Sequence, residues 1–533
     1  MTQLDERPGL AAQAAHPVDQ VPAAPKLIVL ALQHLFIMYA GAVAVPFIVG
    51  NALGLSQKDI AILVNMDLLV SGICTILQAA GLYKLKWAGS RLPIIAGATF
   101  TVLSPMLTIA FANGGAYAGG LATVYGSLLV AGVFGLLIAR PFSMMIRFFP
   151  PLVSGTVIAI IGLSLIGVDI TLITGDATVT QVLDHYPSAA ELAGGSVKAG
   201  SATGTWDIVT ANPDYAKPSF IGLAMLVILV IILISRFAPG FAGQLAVLVA
   251  VVVGVVVAWP MGLLDFHEVG SASWFGIAAP FHFGAPQFHF SAIVSMCIVV
   301  LVTYTESTAD TVAVAEMTDS DLPPKRLAAG LAVDGFSFVL AGFMNSFPDT
   351  AYAENVGLLG ITKVRSRWVV ALCGVFLVIL GVIPKMGAII AALPDQVIGG
   401  AATVMFAMVT VVGIQTLSKV SFRDNHNLLI VAVSLSVGMA PALFTSFYSK
   451  FPEWFQTIFG SAITSTVIVV FVLNLLFNHF GHRGEPEALE TAVHEGAYAP
   501  GIPNDGVNVS DGYPENWQKE PGVVARGADA DAR

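Results

Sequence analysis

The sequence has 533 residues, of which 56% are hydrophobic and only 11% are charged. Soluble domains carry about 25% charged residues, so this composition excludes an ordinary soluble domain and predicts an all-α protein that crosses the lipid bilayer many times. The net charge of −10 comes without a basic patch, and this excludes a nucleic-acid-binding surface.

Both ends of the chain are polar. Residues 1–26 lack the basic-then-apolar pattern of a cleavable signal peptide. Residues 482–533 are rich in Gly, Pro, Ala, Asp and Glu, and such segments carry too little apolar surface to form a core. We predict two disordered cytoplasmic tails around a transporter that occupies residues 27–480.

Apolar runs of the length that a spanning helix needs, about 20 residues, recur throughout the predicted transporter. We predict fourteen transmembrane segments near residues 27–49, 59–80, 92–112, 119–139, 152–172, 218–235, 242–264, 291–314, 327–345, 349–362, 368–391, 396–414, 427–447 and 461–480. Most lysines and arginines of the connections would then lie on the side of the N-terminus, which predicts cytoplasmic termini in the cell membrane. The polar connection over residues 173–217 is predicted to be a loop rather than a lid.

Two of these segments are short, polar and interrupted by glycine. The third begins with the β-like residues 94–100, and the tenth contains the polar patch of residues 348–357. They occupy corresponding places in two halves of seven segments, and paired broken helices of this kind mark the substrate site in transporters built from inverted repeats. We therefore predict two inverted seven-segment repeats, with short strands in segments three and ten.

The polar patch of the tenth segment is the most informative feature of the chain. A carboxylate and an amide at this depth are tolerated where irregular backbone lines a cavity. If residues 351–354, including Ala353, are extended, their backbone groups need a partner strand, and residues 96–99 are the natural candidate. The alternative is a proline kink whose polar side chains reach the membrane surface.

Three residues near the predicted strands suit a planar ligand. Asn355 would cap a half-helix over residues 356–362, whose free N–H groups suit a ligand rich in carbonyls. Gly357 would allow close approach of the backbone. Phe100 could stack on a flat ring, although ordinary packing is at least as common for an aromatic residue in a membrane segment.

Glu306 and Asp310 follow the apolar residues 293–302 and lie four residues apart, on one face of a helix. Two carboxylates in hydrocarbon cannot both be charged and unpaired, so one of them can carry a proton. A carboxylate also accepts hydrogen bonds from ring N–H groups. The alternative is a polar network that only joins helices, and this is more common for Asp310 than for Glu306.

Other polar residues lie alone in predicted segments. Gln33 and His34 belong to the first segment, where a histidine is either an interhelical hydrogen bonder, which we favour, or a proton relay. Asp334 in the ninth segment is a candidate proton relay, and its alternative is a bond to a helix end. Asp67 in the second segment is expected to be structural.

Several function classes are excluded by missing motifs. The sequence contains no phosphate-binding loop, no Cys and His spacing typical of a metal site and no nucleophile elbow. We expect no enzymatic activity, no cofactor and no metal. Transport would then be driven by an ion gradient or by the substrate itself.

Residues 354–363 fit the signature of the nucleobase–ascorbate transporter family, an acid, Gln or Pro followed by Asn-x-Gly-x4-Thr and a basic or small residue. Gln33-His34 fits the first-segment motif of that family, and Glu306 with Asp310 fits its eighth-segment carboxylates. The chain therefore resembles this family over most of residues 27–480. The resemblance implies a core domain (27–140 and 291–391) that moves against a gate domain (152–264 and 396–480), usually in a homodimer.

The resemblance, together with the residues described above, predicts a site for a small-molecule nucleobase. The expected substrate-binding residues are Glu306, Glu354, Phe100, Ala353, Asn355 and Gly357. The residues expected to couple protons or to support the site are His34, Asp310, Asp334 and Gln33.

The residues that differ between branches of the family bear on the choice of substrate. Residues 38–43, 334–335 and 345–348 look like the xanthine and urate branch, whereas Glu354 looks like the uracil branch, since the xanthine branch usually has Gln there. An ionised Glu only accepts hydrogen bonds, whereas Gln both donates and accepts. We expect a proton-coupled symporter that prefers purines. The alternatives are a uracil symporter and an inorganic-anion exchanger of the same architecture.

Overall fold

The computed structural model describes residues 16–81, 88–145, 150–175, 177–183, 195–199, 206–239, 241–362, 364–422, 425–444 and 446–479. The helices are α1 (Ala24–Ala42), α2 (Ala44–Ala52), α3 (Gln57–Ala80), α4 (Leu103–Ala112), α5 (Leu121–Met145), α6 (Pro151–Thr174), α7 (Pro218–Phe237), α8 (Phe241–Gln244), α9 (Ala246–Ala258), α10 (His267–Ser271), α11 (Phe290–Met317), α12 (Pro324–Met344), α13 (Ala353–Thr362), α14 (Arg367–Gly381), α15 (Pro384–Ala391), α16 (Asp395–Leu417), α17 (Asn425–Leu443), α18 (Glu453–Phe459) and α19 (Ala462–Asn474). The strands are β1 (Ala96–Ala98), β2 (Thr178–Leu183), β3 (Gly195–Ala199), β4 (Trp206–Ala211) and β5 (Asp349–Ala351).

The helices confirm a multi-pass membrane protein. Within the described ranges, eight helices are long and apolar enough to cross a membrane. The number rises to ten if two bent pairs, α14 with α15 (79°) and α18 with α19 (82°), each count as one span. Every predicted segment contains at least part of a helix, but some of these helices are short or broken. The count of fourteen spans therefore stays a prediction.

Local sequence signals explain where several helices begin and end. Ser56 precedes α3, and its hydroxyl accepts the N–H of Asp59 at 3.2 Å, which satisfies a donor that the helix leaves free. The same helix stops at Gly81, whose φ of 68° is readily available only to glycine. Asn345 ends α12 in the left-handed helical conformation, with φ of 58° and ψ of 43°.

The predicted strand pair in segments three and ten is confirmed. Strands β1 and β5 pair antiparallel, with Ala96 opposite Ala351 and Ala98 opposite Asp349. The ladder continues beyond the strands, because the Thr99 N–H donates to the Pro348 carbonyl at 3.0 Å. Each broken segment thus satisfies backbone groups of the other, as nonhelical backbone inside a membrane requires.

The boundary predicted inside the tenth segment is wrong by three residues. The extended stretch is Asp349–Ala351 instead of residues 351–354, and α13 begins at Ala353. Asn355 therefore lies in the first turn of the helix and is not its cap. The cause is local, because the Tyr352 carbonyl already accepts the N–H of Asn355 at 3.0 Å and so begins the helical pattern.

The connection predicted to be a loop over residues 173–217 contains a small sheet. Strands β2, β4 and β3 lie side by side in that order, and both pairings are antiparallel. β4 contains three consecutive β-branched residues, Ile208, Val209 and Thr210, a residue type that is enriched in strands. The sheet explains how a connection of this length satisfies its backbone hydrogen bonds.

The helices form two groups according to their most extensive contacts. Helices α1–α5 and α11–α15 make the first bundle, and α6–α9, α16, α17 and α19 make the second bundle. Contacts between the bundles are fewer, and α11 makes several of them. The pairing follows a twofold pattern. Helix α3 of the N-terminal half packs against α14 of the C-terminal half, and in the same way α12 of the C-terminal half packs against α5 of the N-terminal half. This pattern agrees with two inverted repeats.

Both of these helix pairs cross at glycines. A Cβ atom on Gly72 of α3 would lie 2.7 Å from the carbonyl of Gly374 on α14. A Cβ atom on Gly132 of α5 would lie 2.9 Å from the carbonyl of Gly335 on α12. Small residues let membrane helices approach closely and replace the hydrophobic driving force that lipid cannot supply.

Residues 16–26 of the predicted N-terminal tail (residues 1–26) lie within the described part of the chain. The structure describes the chain from His16, a short turn spans Pro17–Asp19, and α1 begins at Ala24. Val18 is buried, and Asp19 accepts a hydrogen bond from the Arg367 Nε at 2.7 Å. These contacts fasten residues 16–20 to the start of α14.

We expect Arg367→Ala to destabilise the protein more than Arg365→Ala does. The Arg367 side chain is only 14% exposed and also donates to the carbonyls of Ala79 and Ala80. Its loss leaves these acceptors unpaired and should lower the free energy of unfolding by about 1–3 kcal/mol. Arg365 pairs with Asp319 at the surface, where truncation costs about 0.5 kcal/mol or less. Thermal unfolding of both variants in detergent checks the order, and equal losses would contradict it.

Candidate functional site

The centre of the candidate site is the Glu306 carboxylate on α11. The Thr101 hydroxyl donates to its Oε1 at 2.7 Å, and the Thr99 hydroxyl donates to its Oε2 at 3.2 Å. Both threonines follow β1 directly, so the strand pair places them over the helix. The carboxylate is half-buried and still borders open space. It is therefore held in one orientation with acceptor capacity left for a ligand.

A cavity of about 490 Å³ lies beside this carboxylate, between the two bundles. This volume falls within the range of about 300–1,000 Å³ that small-molecule sites occupy. The first bundle contributes Phe100, Glu306, Asp310 and Ala353, together with neighbouring backbone. The second bundle contributes mainly apolar side chains of α6 and α16: Ile158, Ile161, Met405, Met408, Val409 and Val412. The cavity thus has one polar wall and one apolar wall.

Phe100 forms part of the polar wall and contacts Phe406 of α16, in the second bundle. Its ring meets Phe406 edge to face, with centroids 5.1 Å apart and an angle of 88° between the planes. The side chain is mostly buried, with 8% exposed. This geometry fixes the orientation of the ring beside the cavity, where it can pack against a flat ligand.

His34 makes an interhelical hydrogen bond, and its partner lies in the tenth segment. Its Nδ1 lies 2.9 Å from the Asn355 Oδ1, and both side chains are buried. The Nδ1–H tautomer donates this bond to the amide oxygen. The contact ties α1 to the first turn of α13. Gln33, the neighbouring residue, is half-buried in α1.

We expect His34→Phe to destabilise the protein by about 1–3 kcal/mol, because Asn355 then loses its buried partner while the volume is roughly kept. The double variant His34→Phe/Asn355→Leu should lose less stability than the two single variants together, since it removes donor and acceptor at once. Thermal unfolding of the four proteins measures this coupling. Strict additivity would contradict a direct bond between the two side chains.

Asp334 lies behind the strand pair and not in the cavity. It is 1% exposed, and the Ser307 hydroxyl lies against its carboxyl. The same hydroxyl accepts the N–H of Ala351 in β5 at 3.1 Å. The predicted acids are therefore split between two places. Glu306 and Asp310 border the cavity, whereas Asp334 is enclosed between α11, α12 and β5.

Two predicted site residues cannot be placed in this way. The Glu354 side chain and the surroundings of Gly357 lie outside the described residues. Their backbone belongs to the first two turns of α13, directly after Ala353, which lines the cavity. Their roles in binding stay predictions.

Sequence reasoning missed the hydroxyl partners of Glu306. Thr99 and Thr101 lie two residues apart after a strand, and only the fold brings them to α11. It also gave no role to Asp349, although this residue stands in the polar patch. Asp349 is fully buried and accepts from the Ser71 hydroxyl at 2.6 Å. The presence of a second acid in the polar patch was the sequence signal that could have identified Asp349.

In the described part of the chain, no three His, Cys, Asp or Glu residues are grouped closely enough to hold a metal ion. The site is thus a polar pocket of carboxylate, hydroxyl, amide and aromatic groups. Such groups can bind and orient a small polar molecule. Nothing in their arrangement resembles a nucleophile with its general base.

Comparison with known proteins decides the family. The model of a permease family matches residues 25–191 and 196–447. The chain belongs to this family. It is the nucleobase–ascorbate transporter family that the motifs resemble, and its members are transporters rather than enzymes.

Named relatives cover nearly the whole permease. The uric acid transporter UacT of Escherichia coli (strain K12) is 38% identical over 88% of this chain and 89% of its own length. The nucleobase transporter PlUacP of Paenibacillus larvae is 36% identical over 88% of this chain and 98% of its own. The xanthine permease of Bacillus subtilis (strain 168) is 34% identical over 85% of this chain and 94% of its own.

Solved structures share the fold of this permease. The transmembrane domain of the cyanobacterial bicarbonate transporter BicA superimposes with a TM-score of 0.51 over 84% of this chain and 98% of that one, at 14% identity. SLC26A9 gives a TM-score of 0.55 over 85% of this chain and 66% of that one, at 12% identity. Identities this low concern the fold alone.

Proposed function

We propose that this permease is a proton-coupled nucleobase symporter that takes up purines such as xanthine or urate. The observation that carries the proposal is the Glu306 carboxylate, fixed by two threonine hydroxyls at the edge of a cavity between the bundles. A carboxylate held in this way accepts hydrogen bonds from N–H groups of a heterocycle. Its orientation is set before the ligand arrives, which lowers the entropic cost of binding.

The other walls of the cavity suit a flat heterocycle. Phe100 presents an aromatic ring beside Phe406 of α16, and the other side chains with which α6 and α16 line the cavity are mainly apolar. A base would lie between them with its polar edge toward Glu306 and the start of α13. We place Glu354, Ala353, Asn355 and Gly357 along that edge. The names of the relatives, uric acid transporter, nucleobase transporter and xanthine permease, support a nucleobase as substrate.

Uracil is the second candidate, and Glu354 is the reason. A Gln at this position can donate to a purine carbonyl, whereas an ionised Glu cannot. The variant Glu354→Gln tests this point. If the purine reading is right, the variant keeps or gains xanthine uptake relative to uracil uptake. If the protein is a uracil carrier, the variant loses uracil uptake.

Proton coupling and alternating access complete the proposal. The first bundle would serve as the core domain (27–140 and 291–391) and the second as the gate domain (152–264 and 396–480). The smaller contact between the bundles supports an elevator-like movement of one against the other. Protonation near Glu306, Asp310 and Asp334 would neutralise the core, because an unpaired charge crosses a dry barrier at high cost. We place the protein in the cell membrane as a homodimer with cytoplasmic termini.

An inorganic-anion exchanger remains the alternative from the same architecture, given the likeness to a bicarbonate transporter. The acidic side chains Glu306 and Asp310 at the cavity oppose it, since an anion site favours cations and free N–H donors. Uptake of bicarbonate or sulfate without nucleobase uptake would favour this alternative.

The deciding experiment is uptake into proteoliposomes. Labelled xanthine, urate and uracil are supplied separately, with an inward proton gradient, with a sodium gradient and with neither. We expect accumulation of xanthine or urate only with the proton gradient, and competition by guanine and hypoxanthine to rank the purines. Accumulation driven by sodium would overturn the proton coupling. No uptake of any base would overturn the proposed function.

A further inference from the structure

Two aspartates that belong to neither wall of the cavity lie against each other behind the strand pair. Asp67 of α3 and Asp349 of β5 are both fully buried. Ser71, one helical turn after Asp67, donates to the Asp349 Oδ1 at 2.6 Å. Ser346, three residues before Asp349, donates to the Asp67 Oδ1 at 3.4 Å. These two bridges run side by side between α3 and residues 346–349, so the two carboxyls are close neighbours.

Nothing positive balances these carboxyls in the described part of the chain. No ion pair with a described lysine, arginine or histidine involves either of them. The titratable groups that face them are Cys74 on α3, Tyr125 on α5 and Asp334 on α12, none of which carries a positive charge. Two unbalanced carboxylates side by side in a low-dielectric interior are strongly unfavourable.

Each carboxyl also has a free oxygen. Asp67 Oδ2 and Asp349 Oδ2 are buried and make no hydrogen bond of good geometry within the described residues, although the Phe347 N–H faces the Asp67 carboxyl and the Cys74 thiol faces that of Asp349. A buried acceptor without a partner is rare in folded proteins and calls for a ligand or a proton. A proton satisfies both observations at once, because it removes one charge and supplies the missing donor. Paired carboxylic acids share protons in this way.

The aspartate pair is connected to the cavity by two hydrogen bonds. Pro348, adjacent to Asp349, accepts the Thr99 N–H at 3.0 Å. The Thr99 hydroxyl in turn donates to Glu306 at 3.2 Å. A separate connection leads to Asp334 and not to the cavity: the Ser337 hydroxyl contacts the N–H and the carbonyl of Asp349 and donates to the Asp334 carbonyl. A shift of Asp349 therefore reaches the group that holds Glu306.

We propose that Asp67 and Asp349 hold one shared proton at a site separate from the nucleobase cavity, and that its occupancy sets the position of the β1–β5 pair during transport. The coupling to transport rests on the proposed function, whereas the shared proton does not. The two residues are positioning residues, since neither of them borders the cavity. Their state acts on Glu306 through Thr99.

The first test detects the proton directly. A protonated buried carboxyl gives a carbonyl stretching band in infrared spectra, and pH-difference spectra of the purified protein in lipid reveal it without any substrate. We expect the double variant Asp67→Asn/Asp349→Asn to lose a titrating band that wild type shows. Asp169→Asn, which removes an equally buried carboxyl from α6 in the second bundle, should keep that band. Identical spectra for wild type and the double variant would overturn the shared proton.

A further variant covers the case in which the double variant does not fold. Ser71→Ala keeps both carboxyls but removes the hydrogen bond to Asp349. We expect the frequency of the same band to shift, because the bonded carboxyl loses its donor. An unchanged band in Ser71→Ala would contradict the assignment to this pair.

The second test measures coupling. Proteoliposomes are assayed for proton-driven accumulation and for exchange of labelled against unlabelled nucleobase. Asp349→Asn and Asp67→Asn should lower the ratio of accumulation to exchange by roughly 5- to 150-fold, the range of a typical coupling between linked sites. Asp169→Asn should leave the ratio unchanged. An unchanged ratio in both pair variants, with an active wild type, would overturn the inference alone. Absence of uptake in wild type would instead overturn the proposed function, and the infrared result would still stand.

Discussion

Replacing Glu306 by Gln is expected to abolish proton-driven accumulation of nucleobase while the protein still folds. Gln has nearly the same shape, so the Thr101 hydroxyl can still donate to the side-chain oxygen. The variant cannot take up or release a proton, and it presents an N–H donor where a ring N–H needs an acceptor. We therefore expect base binding to weaken by about 10- to 100-fold, the equivalent of one lost hydrogen bond to a charged group.

Binding and accumulation are measured separately to check this result. Thermal stabilisation by the base in detergent reports binding, and proteoliposome uptake reports accumulation. Glu316→Gln is the matched control, because it removes a carboxylate from the same helix at a position outside the cavity. Full accumulation by Glu306→Gln would remove Glu306 from the mechanism. An equal loss of accumulation in both variants would mean that the effect comes from removing any carboxylate from α11 and is not specific to Glu306.

The second large effect is expected at the crossing of α6 and α16, the most extensive contact of the second bundle. A Cβ atom at Gly162 would collide with Thr410 and with the backbone carbonyl of Phe406. A backbone atom cannot swing away as a side-chain end can. Gly162→Leu should therefore separate the helices and lower the free energy of unfolding by about 3 kcal/mol or more.

Gly167→Leu supplies the control for this prediction. Gly167 lies on the same helix, and a Cβ atom there would meet no other atom within 4 Å. Both variants lose a helical glycine and gain the same side chain, so they differ only in whether the new side chain lies at the crossing of α6 and α16. Fluorescence-detected size-exclusion chromatography and thermal unfolding should show an intact Gly167→Leu protein and little folded Gly162→Leu protein. Similar behaviour of the two would contradict close packing at Gly162.

Unusual polar residues in apolar segments carry most of the information that the sequence gives about the candidate site. The polar patch and the β-like third segment predicted the β1–β5 pair, since unpaired backbone at that depth has few solutions. The sequence also favoured an interhelical hydrogen bond for His34, and the structure gives its partner as Asn355. In both cases a polar group that is costly to bury limits which partners can lie next to it.

Other features depend on the fold and left no such signal. Thr99 and Thr101 are ordinary residues until the strand pair places them over Glu306. Asp67 was expected to be structural as a lone acid in its segment. Its neighbour Asp349 is remote in sequence, and the bonds through Ser71 and Ser346 become visible only in the fold. Hydropathy also counts apolar residues and does not detect bends. The single segment predicted over residues 368–391 therefore contains two helices, α14 and α15, which meet at a sharp angle.

The crossed pairing of the two halves has a consequence for biosynthesis. Helices α3 and α5 find their main partners in α14 and α12, which the ribosome makes much later. Until then, the glycine faces at Gly72 and Gly132 remain without the surfaces that fit them. The N-terminal half must therefore stay incompletely packed in the bilayer, accessible to proteases and membrane chaperones, until α12 and α14 have been inserted. Assembly of the first bundle is then a single late event rather than a stepwise one.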